Sequence, residues 1–402
     1  MHRLSKKQRI PKARAKSRKI KSAVRAIAFV ALAVFIFSSC AGHKAIRFND
    51  EIPELLSHTV EFPLAFEKRI TDMETQPRSL VSIAAVGDLM LGSWIVNVVK
   101  RKGVDYPYDS TRMWLKSADF AIANLEAPLT DSGAVYENKT YTFKVPPYFA
   151  RGIRNAGIDV VTLANNHILD FDCEGLENTI AALSENGVAH CGAGSDKAEA
   201  CKPVILDQFG IRVAFIGFSM TFPKEFWASD TSCGTCYPTE SQLKKSIRLA
   251  EEQADLTVVS FHWSAEKRTT PKEYQRYFAH LAIDSGADLV LGHHPHVLQG
   301  VEIYNGRLIA YSLGNYVFGS YSSNSRTSIV LQAMINPSGL LYARAIPISV
   351  LNTSVEFQPR PLRGAARQHV IDELNELSRH LNQDRDIFDK DGRVYPFRYA
   401  VR

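Results

Sequence analysis

Six apolar runs in this chain each end on a short polar cluster rich in metal-ligand side chains. LVSIAAV leads into Gly87-Asp88, DFAIA into Asn124-Leu125-Glu126, and DVVTLA into Asn165-Asn166-His167. DLTVVSF leads into His262-Trp263, DLVLG into His293-His294-Pro295-His296, and RLIAYS into Leu313-Gly314-Asn315. A buried strand reads as a short apolar run, and sites in open α/β sheets form beyond strand carboxyl ends. One such pair means little. Six of them, carrying Asp, Glu, Asn and His, point to one polynuclear metal site assembled from distant parts of the chain.

With 402 residues, the chain is long enough for one large domain or two ordinary ones. Its net charge of +6 misleads about partners. Eleven of the 48 basic residues lie within residues 1–25, which hold no acid; the remaining 37 face 42 acidic residues, a net of −5 from Cys40 onward. The body therefore lacks the basic footprint of a nucleic-acid-binding protein.

The basic block runs into AIAFVALAVFIFSSC, which has the n-region, apolar h-region and small-residue site of a secretory signal. The uncharged stretch from Ala26 to Ser39 is short for a membrane span, which needs about 20 residues. Two readings fit. In one, Phe37-Ser38-Ser39-Cys40-Ala41-Gly42 resembles a bacterial lipobox with Cys40 as the lipidated first mature residue; in the other, Ala23 to Gly42 is an uncleaved signal anchor. Both place the body outside the cytoplasm and tethered to the membrane. Cys173, Cys191, Cys201, Cys233 and Cys236 remain, and an oxidising compartment permits disulfides. Cys233-Gly-Thr-Cys236 reads as a local loop staple, and the odd count leaves at least one thiol unpaired.

Residues 40–79 read as a tether and residues 80–350 as the main domain. Residues 351–402 read as a C-terminal extension closed by a helix over Ile371–Leu381. Helices are expected over Thr111–Ser117, Pro147–Ala156, Glu174–Asn186, Glu240–Gln253 and Pro271–Ser285, and β-structure in SIVLQAMI and ARAIPISV. Four similar junctions carry helix into strand: Ser117-Ala-Asp119, Gly157-Ile-Asp159, Gln253-Ala-Asp255 and Gly286-Ala-Asp288. Repeated helix–turn–strand units argue for an α/β architecture.

A two-metal hydrolytic site needs a bridging carboxylate, neutral imidazoles and terminal oxygen ligands around ions about 3.5–4 Å apart. The order here is Asp, a second carboxylate, Asn-His, His, then His-x-His. That order resembles the calcineurin-like metallophosphatase pattern. AVGDLMLG, ANLEAPLT, TFKVPP, VVTLANNHILDFD, HWSAEK, GADLVLGHHPHVLQG and YSLGNYVF, over roughly residues 80–320, resemble the CapA-type poly-γ-glutamate capsule biosynthesis proteins. The resemblance implies a four-layer α/β/β/α sandwich holding one or two divalent ions of the Mn, Fe or Zn type. It assigns Asp88, Glu126 and His296 to the first metal, with Glu126 bridging, and Asn166, His262 and His294 to the second. His167 becomes the catalytic residue facing the scissile group, and Asp170 its orienting carboxylate. Lys144, Glu266 and Asn315 are the candidate substrate contacts, Glu266 having a surface ion pair as its alternative. Met90 stands where the wider superfamily has a ligand histidine, and a thioether is a poor ligand in an oxygen and nitrogen site.

Ordinary structural roles compete at some positions. Asp88 after Gly87 fits a turn, Asn124 or Asn165 can satisfy loop backbone, His280 reads as a surface or interface residue, and Trp263 reads as packing. Four histidines at two strand ends have no such explanation. Three functions follow: a tethered hydrolase or transferase on a γ-glutamyl or related anionic polymer, a non-catalytic polymer-binding factor within a capsule-synthesis complex, or a plain phosphoesterase. The lost histidine at Met90 counts against the third.

Overall fold

The computed structural model describes residues 80–396 apart from 322 and 324. The secretory segment, Cys40 and the tether lie outside the described residues. Two sheets dominate. The first contains β1 (Val81–Met90), β2 (Phe120–Leu125), β3 (Val160–Thr162) and β4 (Ala189–Cys191), parallel and in that order. A two-stranded ribbon follows, made by β5 (Ala193–Gly194) and, later in the chain, β8 (Gly234–Thr235).

The second sheet runs β11 (Val301–Tyr304), β12 (Arg307–Ala310), β10 (Leu289–His293), β9 (Leu256–His262), β7 (Ile211–Ser219) and β6 (Val204–Gln208). The chain then returns to the first sheet with β13 (Asn315–Phe318), β14 (Thr327–Asn336), β15 (Gly339–Ser349), β16 (Arg360–Pro361) and β17 (Arg393–Val394). The first half of β1 pairs antiparallel with β14, and its second half pairs parallel with β13, Asp88 opposite Asn315.

Alternation along these strands builds the layers. Ile83 and Ala85 of β1 pack with Phe215, Val258, Leu289 and Leu291 between the sheets. Ala84 and Val86 face the opposite way, into a cluster with helices α1 (Trp94–Lys102), α2 (Arg112–Lys116), α3 (Ala150–Ala156) and α4 (Asp172–Glu185). Val259, Phe261 and Val290 of the second sheet pack outward against α6 (Glu240–Glu251) and α7 (Glu273–Asp284), after the single turn α5 (Lys197–Ala200). The result is the expected α/β/β/α sandwich. Beyond α8 (Asn352–Val355), α9 (Gly364–Arg379) packs Val370, Ile371 and Leu374 into the inter-sheet core, so this closing helix begins seven residues before Ile371. Helix α1 and strands β6 and β7 have no counterpart among the expected elements.

The four helix-to-strand junctions share one device. The backbone N–H of each Asp donates to a carbonyl of the neighbouring strand, and its carboxylate accepts that same residue's N–H. Asp119 clasps Ser82 this way at 2.9 Å, Asp159 clasps Ala121 at 2.9 Å, Asp255 clasps Arg212 at 2.8 Å, and Asp288 clasps Thr257 at 2.9 Å. These clasps sit at the amino ends of parallel strands. They fix the register that sets the residues at the opposite ends side by side.

The cysteines do not form the expected local staple. Cys173 bonds Cys233, Cys201 bonds Cys236, and Cys191 is free and buried. Gly234-Thr235 is extended as β8, so Cys233 and Cys236 stand about 10 Å apart along the strand, beyond disulfide reach.

Candidate metal centre

Strand register brings the polar clusters together. Asp88 lies opposite both Asn124 and Asn315, and His262 lies opposite His293. Close backbone approach allows this. The Asp88 N–H donates to the Gly314 carbonyl at 3.0 Å, and a Cβ on Gly87 would clash with that carbonyl.

Asp88 is fully buried. Its Oδ1 accepts from Asn124 Nδ2 at 2.8 Å, and its Oδ2 meets the His294 N–H at 3.2 Å and His296 Nδ1 at 3.1 Å. Burial pushes the Asp88 carboxyl up, but His293 and His296 beside it hold it well below the usual range. Glu126 is pushed well above its ordinary value, by burial first and then by the Asp88 charge. Its Oε2 is 3.3 Å from Asn124 Nδ2. Its Oε1 has no hydrogen-bond partner among the described residues and lies 3.6 Å from His262 Nε2 and 3.7 Å from His296 Nε2.

His262 Nε2 contacts Asn166 Oδ1 at 2.7 Å, and its ring stands 4.7 Å from that of His294. Burial, then the neighbouring His294, holds His262 well below its usual value; burial and His296 hold His294 at about 3. Burial also opposes charge on His296, yet Glu126 and Asp88 raise it to about 9. His294 and His296 adopt φ of 92° and 58°, a region non-glycine residues occupy at a cost of order 1–3 kcal/mol.

Two triads of donor atoms converge within 4.8 Å: Asp88, Glu126 and His262, and Glu126, His294 and His296. Glu126 is common to both. This grouping differs from the division expected from the sequence, and the contacts Asp88–His296 and His262–Asn166 cut across it. The donor set suits a divalent ion. Buried polar atoms are nearly always partnered, and an ion would account for orphans such as Glu126 Oε1 and His294 Nδ1. Mixed carboxylate, imidazole and amide ligands fit Mn, Fe or Zn. Met90 is fully buried in the outer helix-facing cluster.

His167 lies beside this centre. Its Nδ1 is 2.7 Å from Asp170 Oδ2, and its backbone N–H donates to Asn165 Oδ1. Burial lowers its pKa, opposed by Asp170. Asn315 Oδ1 reaches His296 Nδ1 at 3.0 Å. Glu266 is exposed on the loop after His262, and its charge is felt by Glu126 and His296.

Lys144 stands outside the buried cluster. It is exposed, its ammonium 3.5 Å from the Asp131 carbonyl and over the Phe171 ring. The preceding residue takes the inward place instead, Phe143 donating its N–H to Asp170 Oδ2 and laying its ring 4.9 Å from His167. The cation at the centre is Lys139, 3.0 Å from His167 Nδ1. Asn124 is a hub contacting Asp88, Glu126, His262 and Asn165 rather than loop backbone. Asn165 does serve the backbone, at Leu125 O. Trp263 is packing, stacked on Phe261 at 4.4 Å, and His280 pairs with Glu302 away from the centre.

A sandwich with clustered carboxylates and imidazoles at its strand ends defines a metallophosphatase-like class. Residues 82–320 match the family described as bacterial capsule synthesis protein PGA_cap, and the chain belongs to that family. It is 30% identical over 311 residues to the capsule biosynthesis protein CapA of Bacillus anthracis, covering 76% of this chain and 73% of that protein. It is 28% identical over 334 residues to the PGA biosynthesis protein CapA of Bacillus subtilis, covering 82% and 86%. Among solved structures, the calcineurin-like phosphoesterase YfkN from Bacillus subtilis aligns with a TM-score of 0.41 and 17% identity, over 75% of this chain and 98% of that chain.

Proposed function

We propose that the chain is a metal-dependent hydrolase or transferase acting on poly-γ-glutamate, or a related anionic polymer, during capsule synthesis. The observation that carries the catalytic part is Glu126: a fully buried carboxylate with one unpartnered oxygen, shared by two converging ligand triads. The polymer comes from family membership and the names of the relatives. Asp88, Glu126 and His296 would hold one ion, and Asn166, His262 and His294, with Glu126 shared, the other. A divalent ion there supplies Lewis acidity toward a carbonyl or phosphoryl oxygen and a lowered pKa for bound water.

The protein's own contribution is proton transfer and orientation. Asp170 Oδ2 accepts the Nδ1 proton of His167 in a hydrogen bond, which leaves Nε2 as the exchanging nitrogen: it would first take a proton from water, and the resulting imidazolium, stabilised by Asp170, would give that Nε2 proton to the leaving group. Asn315 and Glu266 are the proposed substrate contacts.

The proposed location is outside the cytoplasm, on a lipid at Cys40. Two disulfides among the described residues support an oxidising compartment. No described helix is long and apolar enough to cross a membrane.

A second reading, a polymer-binding assembly factor without turnover, draws on Met90, whose burial in the outer core leaves the first ion with three protein ligands. Metal analysis combined with assays on γ-glutamyl polymer and on a phosphodiester separates the two. His167→Ala should keep metal and fold but lose roughly 100-fold or more in turnover. A His167→Ala strain with normal capsule and undiminished activity, beside a defective His262→Ala strain, would favour the assembly factor.

A further inference from the structure

The cation beside His167 belongs to neither ligand triad. Lys139 comes from the excursion between β2 and α3, whose base is closed by Thr130 N–H to Val145 O at 2.8 Å and Val145 N–H to Pro128 O at 3.0 Å. Within it, the Tyr136 N–H donates to Asp170 O at 3.0 Å, and the Tyr136 ring meets Phe226 edge-on at 4.9 Å. Lys139 Nζ then reaches Asp170 Oδ1 at 2.5 Å and the Asn166 carbonyl at 2.5 Å. The other carboxylate oxygen of Asp170 takes the Phe143 N–H and faces His167 Nδ1. One buried carboxylate is thus held from two sides by a single loop.

We propose that Lys139 is a positioning residue for His167, acting by clamping the Asp170 carboxylate in the orientation that fixes the imidazole. The catalytic role of His167 rests on the function proposed above; the clamp itself does not. An ammonium donates but cannot accept, so its hydrogens go to Asn166 O and Asp170 Oδ1, and the Nδ1 proton of His167 is left to Asp170 Oδ2. Without Lys139 the Asp170 carboxylate keeps one backbone donor and gains a free torsion. His167 then loses its single orientation, while the ligands Asp88, Glu126, His262, His294 and His296, on other elements, stay in place, and Asn166 loses one hydrogen bond to its backbone carbonyl but keeps its side-chain contact with His262.

The test uses the full-length chain in detergent. Lys139→Met, Asp170→Asn and the double variant are compared, with Lys139→Arg as the charge-keeping control. Turnover of bis(p-nitrophenyl) phosphate with Mn2+ is read as kcat and KM. Lys139→Met should lose about 100-fold in kcat with KM within about twofold, and the double variant should be no worse than Asp170→Asn, because both act through one group. Lys139→Arg should recover part of the loss. Multiplying losses, or a loss confined to KM, would overturn the clamp. Magic-angle-spinning 15N spectra of the histidine-labelled, Zn2+-loaded chain give an arm that needs no turnover. His167, assigned by difference from His167→Gln, should show one Nδ1-protonated, hydrogen-bonded form in the wild type and a mixture of forms in Lys139→Met. An unchanged His167 signal in Lys139→Met refutes the clamp, whereas an intact clamp in a wild type without turnover refutes the hydrolase and leaves the clamp standing.

Discussion

Glu126→Gln separates the energetics of the empty centre from those of the loaded one. In the chelated chain Glu126 is a buried carboxylate beside Asp88, with an oxygen that finds no partner. A buried group in that state costs about 1–3 kcal/mol. Glutamine removes an acid whose charged form burial and Asp88 disfavour, and gives up the attraction to His296 3.7 Å from Oε1, the smaller of the two effects since the Glu126 pKa is raised on balance. The variant should therefore be about 1–3 kcal/mol more stable than wild type in EDTA. With metal that advantage shrinks by about 2 kcal/mol. A free ion at 100 times its Kd stabilises the wild type by about 2.7 kcal/mol. Loss of the shared anionic ligand, taken as about 100-fold in affinity, leaves about 0.4 kcal/mol at that concentration. Urea unfolding of both chains, with EDTA and with saturating Mn2+, reads the two effects separately. A variant less stable than wild type in EDTA, or one stabilised by Mn2+ as much as wild type, would refute the assignment of Glu126 as a buried shared ligand.

In chelated protein His294 and His296 limit stability from opposite sides of pH 6.5. His294 is held at about 3 in the folded chain, so below 6.5 the unfolded state takes a proton that the folded state refuses; this group alone removes about 2 kcal/mol between pH 6.5 and 5. His296 has the opposite sign: raised to about 9, its contribution is complete below 6.5 and is lost as pH rises through 9. Urea midpoints in EDTA at pH 5, 6.5 and 9 check both limbs, and equal midpoints at pH 5 and 6.5 count against the first. Replacing Cys173 and Cys233 together by Ser should cost about 3–4 kcal/mol by chain entropy, because their 60-residue separation is partly short-circuited by Cys201–Cys236; thermal unfolding reports it. Cys40→Ala should abolish palmitate labelling, and labelling that survives favours the signal anchor.

The layers and the clustered centre were legible because buried strands ending in Asp, Glu, Asn and His leave a pattern of short range. The junction aspartates were visible as a recurring tripeptide, but their carboxylate–backbone clasps join strands roughly 40 residues apart and have no local trace. Strands β6 and β7 leave no comparable signal, because VILDQFGIRVAFIGFS carries no ligand residue at its end. Lys139 was hidden for a different reason. It sits in an aperiodic polar loop, and nothing in ENKTYTFK distinguishes a lysine folded inward from Lys144 beside it. The disulfide partners were likewise set by β8, a two-residue strand too short to read.

The centre straddles the seam between the sheets, with Asp88, Glu126 and Asn166 on one side and His262, His294 and His296 on the other. Neither sheet alone carries a complete set, and the first and last donors are 208 positions apart in the chain. A nascent chain therefore completes this donor set only after the sandwich has closed. An ion held there would be a lock on a finished structure rather than a template for making it. Contacts absent from a folding transition state slow escape without hastening arrival. Metal supplied to the refolding chain should leave the folding rate nearly unchanged and lengthen the lifetime of the native state.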